Sequence, residues 1–168
     1  EKFGPSMPGF RQVPFNDIPV LEKALSKKTA AVVFETIPAT MGIVVPAKDY
    51  FRKVKSLCEA NGTLLIMDEV QSGFGRTGTM WGFEQFNVVP DIVTLGKGMS
   101  GGIYPITATV FKSKFAGFFR DDPFIHISTF GGSEIGCCAA IEVMRITGRR
   151  PFLNHVNKMG KFFTAELD

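Results

Sequence analysis

No apolar run in the 168-residue sequence approaches the roughly 18 residues that a membrane span requires. Charge of one sign is also scarce. A net charge of +3 is too small to argue for a nucleic-acid partner or a membrane surface. The three cysteines (Cys58, Cys137 and Cys138) are odd in number and two are adjacent. That argues against a disulfide framework and for a reducing compartment, the cytoplasm. His126 has no metal-ligand spacing around it, so no metal site is expected. There is no internal repeat and no low-complexity tract. The start shows neither an initiator methionine nor a basic-then-apolar targeting pattern. Both ends read as cut, the second within a helix expected over Leu153–Leu167, so the chain reads as part of a longer one.

What is present is a globular composition, 45% hydrophobic and 21% charged, in a length sufficient for one core. The first 14 or so residues are rich in Gly and Pro and read as extended. Asn16 or Asp17 can cap a short helix through Leu25, with Pro19 in its first turn. Ala30–Glu35 is a short apolar run consistent with a buried strand. Pro46–Ala60 is expected as an amphipathic helix with Tyr50, Phe51, Val54, Leu57 and Cys58 on one face, stopped by Asn61-Gly62. Leu64–Met67, Asp91–Leu95 and Ile106–Phe111 read as further strands, and Glu134–Ile146 as a helix rich in small residues. Strands alternating with helices indicate an α/β layer architecture.

Two familiar signatures overlap between Leu64 and Gly78, and neither meets its context. Gly73-Phe-Gly75-Arg-Thr-Gly78 is a literal G-x-G-x-x-G. A dinucleotide cradle, however, requires the glycines to follow a strand directly and to open a helix. Four residues intervene after Asp68, and Thr79-Met80-Trp81-Gly82 is a poor helix start. Leu64–Glu69 resembles the strand and acidic pair that hold magnesium in nucleotide hydrolases. The Gly-Lys pairs that a phosphate loop would need are followed by Gly98 and Phe162 instead of Ser or Thr. A phosphate loop outside the chain stays open as an alternative.

A third reading uses Asp68 and Lys97, each at the end of a buried strand. In parallel α/β sheets, ligands bind in the crevice outside the carboxyl ends of the strands. A carboxylate and an amine there are complementary to pyridoxal 5'-phosphate. The amine forms a Schiff base with the aldehyde, and the carboxylate pairs with the protonated pyridine nitrogen and keeps the ring an electron sink. Lysine suits the task because burial readily lowers its pKa toward the neutral amine. Gly96 and Gly98 let the backbone approach a flat ring closely.

The segments MDEVQSGFGRTG, PDIVTLGKGMSGG and STFGG, in that order and spacing, resemble the class III pyridoxal-phosphate aminotransferases of the ornithine and 4-aminobutyrate transaminase type, fold type I. The resemblance runs from about Ala30 to the C-terminus. It implies an α/β fold, the large domain of a fold-type-I transferase, with a mostly parallel sheet covered by helices and with N- and C-terminal parts missing. Residues 1–168 would belong to the large cofactor-binding catalytic domain and enter the small domain from about residue 150.

The resemblance also implies roles. Lys97 matches the Schiff-base lysine, which shuttles the proton. Asp68 matches the pyridinium partner, Val70 the residue packed on one ring face, and Gln71 the side chain reaching the phenolic oxygen. Thr129, with Ser128 beside it, matches a threonine on the phosphate of the partner subunit's cofactor, which implies a homodimer. Glu35 matches the glutamate opening an EPIQGEGG-like segment, and Glu35 and Arg76 are the candidate substrate contacts. Glu69 is read as structural, paired with Arg76. The chain departs from the family where the second glutamate falls on Thr40, which cannot neutralise an arginine. The implied activity is transfer of an amino group from an amine or amino acid to a keto acid. Mutases, racemases and decarboxylases of the same fold share Asp68 and Lys97. A non-catalytic cofactor-binding homologue is a further alternative.

Overall fold

Asp17 starts the first helix by accepting the Val20 N–H on Oδ1 at 3.0 Å, which satisfies a donor the helix itself cannot. This computed structural model describes residues 4 and 6–167. The described part of the N-terminal segment, residues 4 and 6–14, forms no helix or strand and includes a turn closed by the Phe10 N–H on the Met7 carbonyl, and residues 1–3 and 5 lie outside the described residues. Helix α1 covers Ile18–Ala24, with Pro19 in its first turn. Strand β1 is Ala31–Glu35, and α2 follows at Tyr50–Asn61. The helix expected from Pro46 begins four residues later. Ala47 donates instead to Asn16 Oδ1 at 3.1 Å, and the Tyr50 N–H closes a turn on the Ala47 carbonyl. Gly62, at φ 70°, ends α2 in the left-handed conformation, as its type favours.

Strand β2 is Leu64–Asp68, β3 is Ile92–Leu95 and β4 is Ala108–Phe111. The sheet order is β1-β2-β3-β4. β1, β2 and β3 are parallel, whereas β4 runs antiparallel to β3. β4 starts two residues later than the apolar run suggests. A short helix that sequence periodicity did not reveal, α3 (Ala116–Asp121), is followed by α4 (Glu134–Thr147) and α5 (Arg150–Leu167).

One core lies between α1, α2 and the sheet, with Tyr50, Phe51, Val54, Leu65 and Met67 at 1% exposure or less. Phe15, Phe34, Tyr50 and Phe51 meet at ring-centroid distances of 5.1–6.2 Å, in edge-to-face or tilted pairs that avoid the face-to-face sandwich aromatic quadrupoles disfavour. Burying each such side chain contributes about 1.5–3 kcal/mol. A second core joins Phe74, Leu95 and Met99 to Ala140 of α4. Alternation along the strands puts Asp68 on the opposite face from Leu65 and Met67. Val33, which shares the Asp68 face through its pairing with Ile66, is 60% exposed. Among the described residues, therefore, that side of β1 and β2 is open.

Candidate active site

The strand register builds the site. Glu35 pairs with Asp68, and Asp68 with Thr94, so three parallel strands end level. Lys97 follows two residues after β3 ends and opens a 3₁₀ turn, Lys97–Ser100. Its backbone is at φ 40°, a left-handed conformation that costs a non-glycine residue about 1–3 kcal/mol and persists where surrounding structure enforces it. The side chain that this turn presents is exposed and donates from Nζ to Gln71 Oε1. Asp68 Oδ1 accepts the Val70 N–H at 2.9 Å. Among the described residues, neither Asp68 nor Lys97 enters a salt bridge.

Val70 and Arg76 complete the surroundings of the lysine. A methyl group added at Gly96 would touch both Val70 methyls at 3.4 Å, and one added at Gly98 would lie 3.2 Å from the Arg76 guanidinium. The glycines on either side of Lys97 thus leave room for neighbours that a side chain would crowd. Arg76 is exposed and donates to the Gln71 carbonyl at 3.2 Å. Glu35 accepts the Ala39 N–H at 3.2 Å, which folds the following loop back on the strand end. The structure brings Asp68, Val70, Gln71, Arg76 and Lys97 together, with Glu35 one strand away.

Ser128 and Thr129 stand apart. They sit in an exposed turn in which Ser128 Oγ accepts the Gly131 N–H at 3.0 Å, and neither bonds to the other site residues. Exposed apolar side chains lie near the turn in sequence, Phe118, Phe124, Ile127 and Phe130 among them.

Glu69 does not pair with Arg76. It is fully buried and accepts from the Thr36 hydroxyl, from the Gly82 N–H at 2.7 Å and from the Phe83 N–H at 2.9 Å. Burial pushes its carboxyl pKa up, and these three donors offset that only in part. Sequence reasoning missed Thr36 as a site neighbour. The signal available was a hydroxyl directly after Glu35 and an acid directly after Asp68, at adjacent strand ends.

The G-x-G-x-x-G run is neither a helix start nor a phosphate cradle. It is a series of turns in which Gly75 and Gly78 have φ 84° and 87°. Side chains at these positions would collide with Phe152 and Asn157 of α5, and Asn157 Nδ2 donates to the Gly78 carbonyl at 2.9 Å. The glycines fit the turn against a helix.

A family model described as Aminotransferase class-III matches residues 1–168. This chain belongs to the class-III aminotransferases. An uncharacterized aminotransferase of Archaeoglobus fulgidus is 54% identical over 98% of the chain and 39% of its own length. The acetylornithine aminotransferase of Caldanaerobacter subterraneus is 43% identical over 99% of the chain and 41% of its own length. The ornithine aminotransferase structure from Toxoplasma gondii superposes with a TM-score of 0.89 at 34% identity, over 96% of this chain and 38% of that one. The class-III chain therefore spans about two fifths of the relatives it matches. Its α/β architecture with a mostly parallel sheet is that of the fold-type-I aminotransferases. No described helix is long and apolar enough to cross a membrane, and no group of described His, Cys, Asp and Glu residues could hold a metal ion.

Proposed function

We propose that the protein containing this chain transfers an amino group from an amine or amino-acid donor to a keto-acid acceptor, with pyridoxal 5'-phosphate as cofactor. The observation that carries the reading is a carboxylate and an amine at neighbouring strand ends, in no ion pair with each other. One Asp68 oxygen takes the Val70 N–H, which leaves the other for a protonated ring nitrogen. Lys97 rests on a neutral amide oxygen and is available to an aldehyde. The donor set fits the cofactor. When bound, the cofactor supplies the electron sink that stabilises negative charge on the substrate carbon.

The chain's own residues do the rest. Lys97 Nζ would hold the cofactor and, once freed, would take the proton from the donor's amine-bearing carbon. General acid–base help of this kind is worth about 10²–10⁴-fold. Asp68 keeps the ring nitrogen protonated. Gln71 keeps Lys97 directed and would serve the cofactor's phenolic oxygen, while Val70 would support its ring. Arg76, the cation beside Gly98, and Glu35, beside Asp68, are the substrate contacts. Thr40, exposed where the EPIQGEGG-like pattern has its second glutamate, leaves any carboxylate-binding arginine without that partner.

The exposed apolar side chains around Ser128 and Thr129 support a homodimer in which Thr129 holds the phosphate of the partner's cofactor. We read α5 as the start of the small domain. Borohydride treatment of the full-length protein with bound cofactor should label the peptide containing Lys97. A bound but unlabelled cofactor, or one never converted to its amine form by any donor, would refute transamination through Lys97.

A further inference from the structure

Glu69 lies between two residues assigned to the cofactor, yet its side chain points away from them into the core. It is 0% exposed. Leaving a carboxylate there is costly, since an ion withdrawn from water loses several kcal/mol of hydration. Apolar filling would serve stability at less cost, so the arrangement of its donors is informative.

Those three donors come from two separate segments. The Thr36 hydroxyl belongs to the residue after β1, and the Gly82 and Phe83 N–H groups to the 3₁₀ turn Gly82–Phe86. Thr36 also donates its own N–H to the Asp68 carbonyl at 3.4 Å. The Glu69 N–H donates to the Thr94 carbonyl at 2.9 Å, and the Glu69 carbonyl accepts the Gly73 N–H at 2.9 Å. Through one residue, the end of β1, the end of β3, the 69–73 turn and the 82–83 segment are tied together. The 69–73 turn carries Val70 and Gln71, and Gln71 is the acceptor for Lys97. A methyl group at Gly82 would come within 3.2 Å of both Glu69 carboxylate oxygens, so the backbone approaches closely at this point. The segment that resembles EPIQGEGG has threonine at position 36 where the quoted pattern has proline, and the hydroxyl is what reaches Glu69.

We propose that Glu69, held by Thr36 and by the Gly82 and Phe83 amides, is a positioning residue that sets where the Asp68 carboxylate and the Gln71 amide meet the cofactor. It touches neither the cofactor nor substrate. Adjacent residues on an extended chain point to opposite faces, so a shift of Glu69 rotates Asp68 with it. A displacement of about 1 Å at such groups can cost about 10²-fold. This inference rests on the cofactor assignment above.

The test uses the full-length protein and pyridoxal phosphate itself. Thr36→Val keeps the shape and deletes one donor, Thr36→Ser restores the hydroxyl, and Glu69→Gln sets an amide against the Gly82 N–H. Hydrogen bonds to a charged group contribute about 1.5–3 kcal/mol, so Thr36→Val and Glu69→Gln should weaken cofactor binding about 10- to 100-fold. Both should also move the pH at which the bound cofactor's visible absorption changes, and Thr36→Ser should return both readings to the parent values. A lowered melting temperature with unchanged cofactor affinity and an unchanged pH midpoint would make the clamp structural only and overturn the proposal. A parent protein that binds no pyridoxal phosphate would instead refute the cofactor assignment.

Discussion

The two ends of the sheet use the same residue types for opposite purposes. At the amino end of β3, Asp91 is buried and accepts from Lys55 and Lys112, each at 2.8 Å, and from the Leu65 N–H at 3.1 Å. At the carboxyl end, Asp68 and Lys97 are half-buried and exposed and enter no salt bridge among the described residues. The first aspartate is neutralised within the fold. Burial alone would push the Asp91 carboxyl up, but the two lysines and the amide outweigh it and hold it well below the ordinary carboxylate range. The second aspartate keeps an oxygen free, and its lysine is held in a strained backbone conformation beside it. Charges satisfied by one another stabilise the fold, and charges left free can serve a ligand.

If that contrast is right, substitutions at the two ends separate activity from stability. Lys97→Ala should produce the largest effect, slowing conversion of the bound cofactor to its amine form by about 10²–10⁴-fold. Single-turnover absorption of the full-length protein checks this, and its thermal stability should barely change. Phe51→Ala is the reference for pure packing loss and should cost about 3–5 kcal/mol in denaturant unfolding.

Asp91→Asn should cost about 2 kcal/mol at neutral pH, between the values for exposed and buried ion pairs, with activity retained. The pH dependence has a definite sign. A carboxyl whose folded pKa is depressed stabilises fully above its unfolded value of about 3.9, and that contribution is lost as pH falls through the folded value. The parent should therefore lose stability more steeply than Asp91→Asn as the pH drops below about 4. An equal slope in urea titrations would remove Asp91 from this account. Lys97→Gly should change the fold less than Phe51→Ala or Asp91→Asn does, with a gain of about 1 kcal/mol, because glycine accepts the φ of 40° without strain. A loss of stability would mean that the Lys97–Gln71 contact outweighs the backbone cost.

Much of the fold was legible because its signals are local. Apolar runs located four strands, Asp17 and Gly62 marked helix ends, and Asp68 and Lys97 announced themselves as polar residues closing buried strands. Helix starts were less legible. The chain at Pro46 could have entered a helix, but a hydrogen bond to Asn16 kept it in a turn. α3 went unseen because six residues give too little periodicity. The antiparallel direction of β4 carries no sequence signature of its own.

The sequence by itself determined where the parallel strands stop, and that a carboxylate and an amine stand at those stops. Strand alternation, glycine placement and side-chain chemistry act over a few residues and can be read there. Only the tertiary structure decided what satisfies each group. Glu69 finds its donors in Thr36, 33 residues earlier, and Gly82, 13 residues later. Gly78 finds Asn157, 79 residues on. Most buried polar atoms are paired, but the pairing is chosen by which distant segments the packing brings within 3 Å or so.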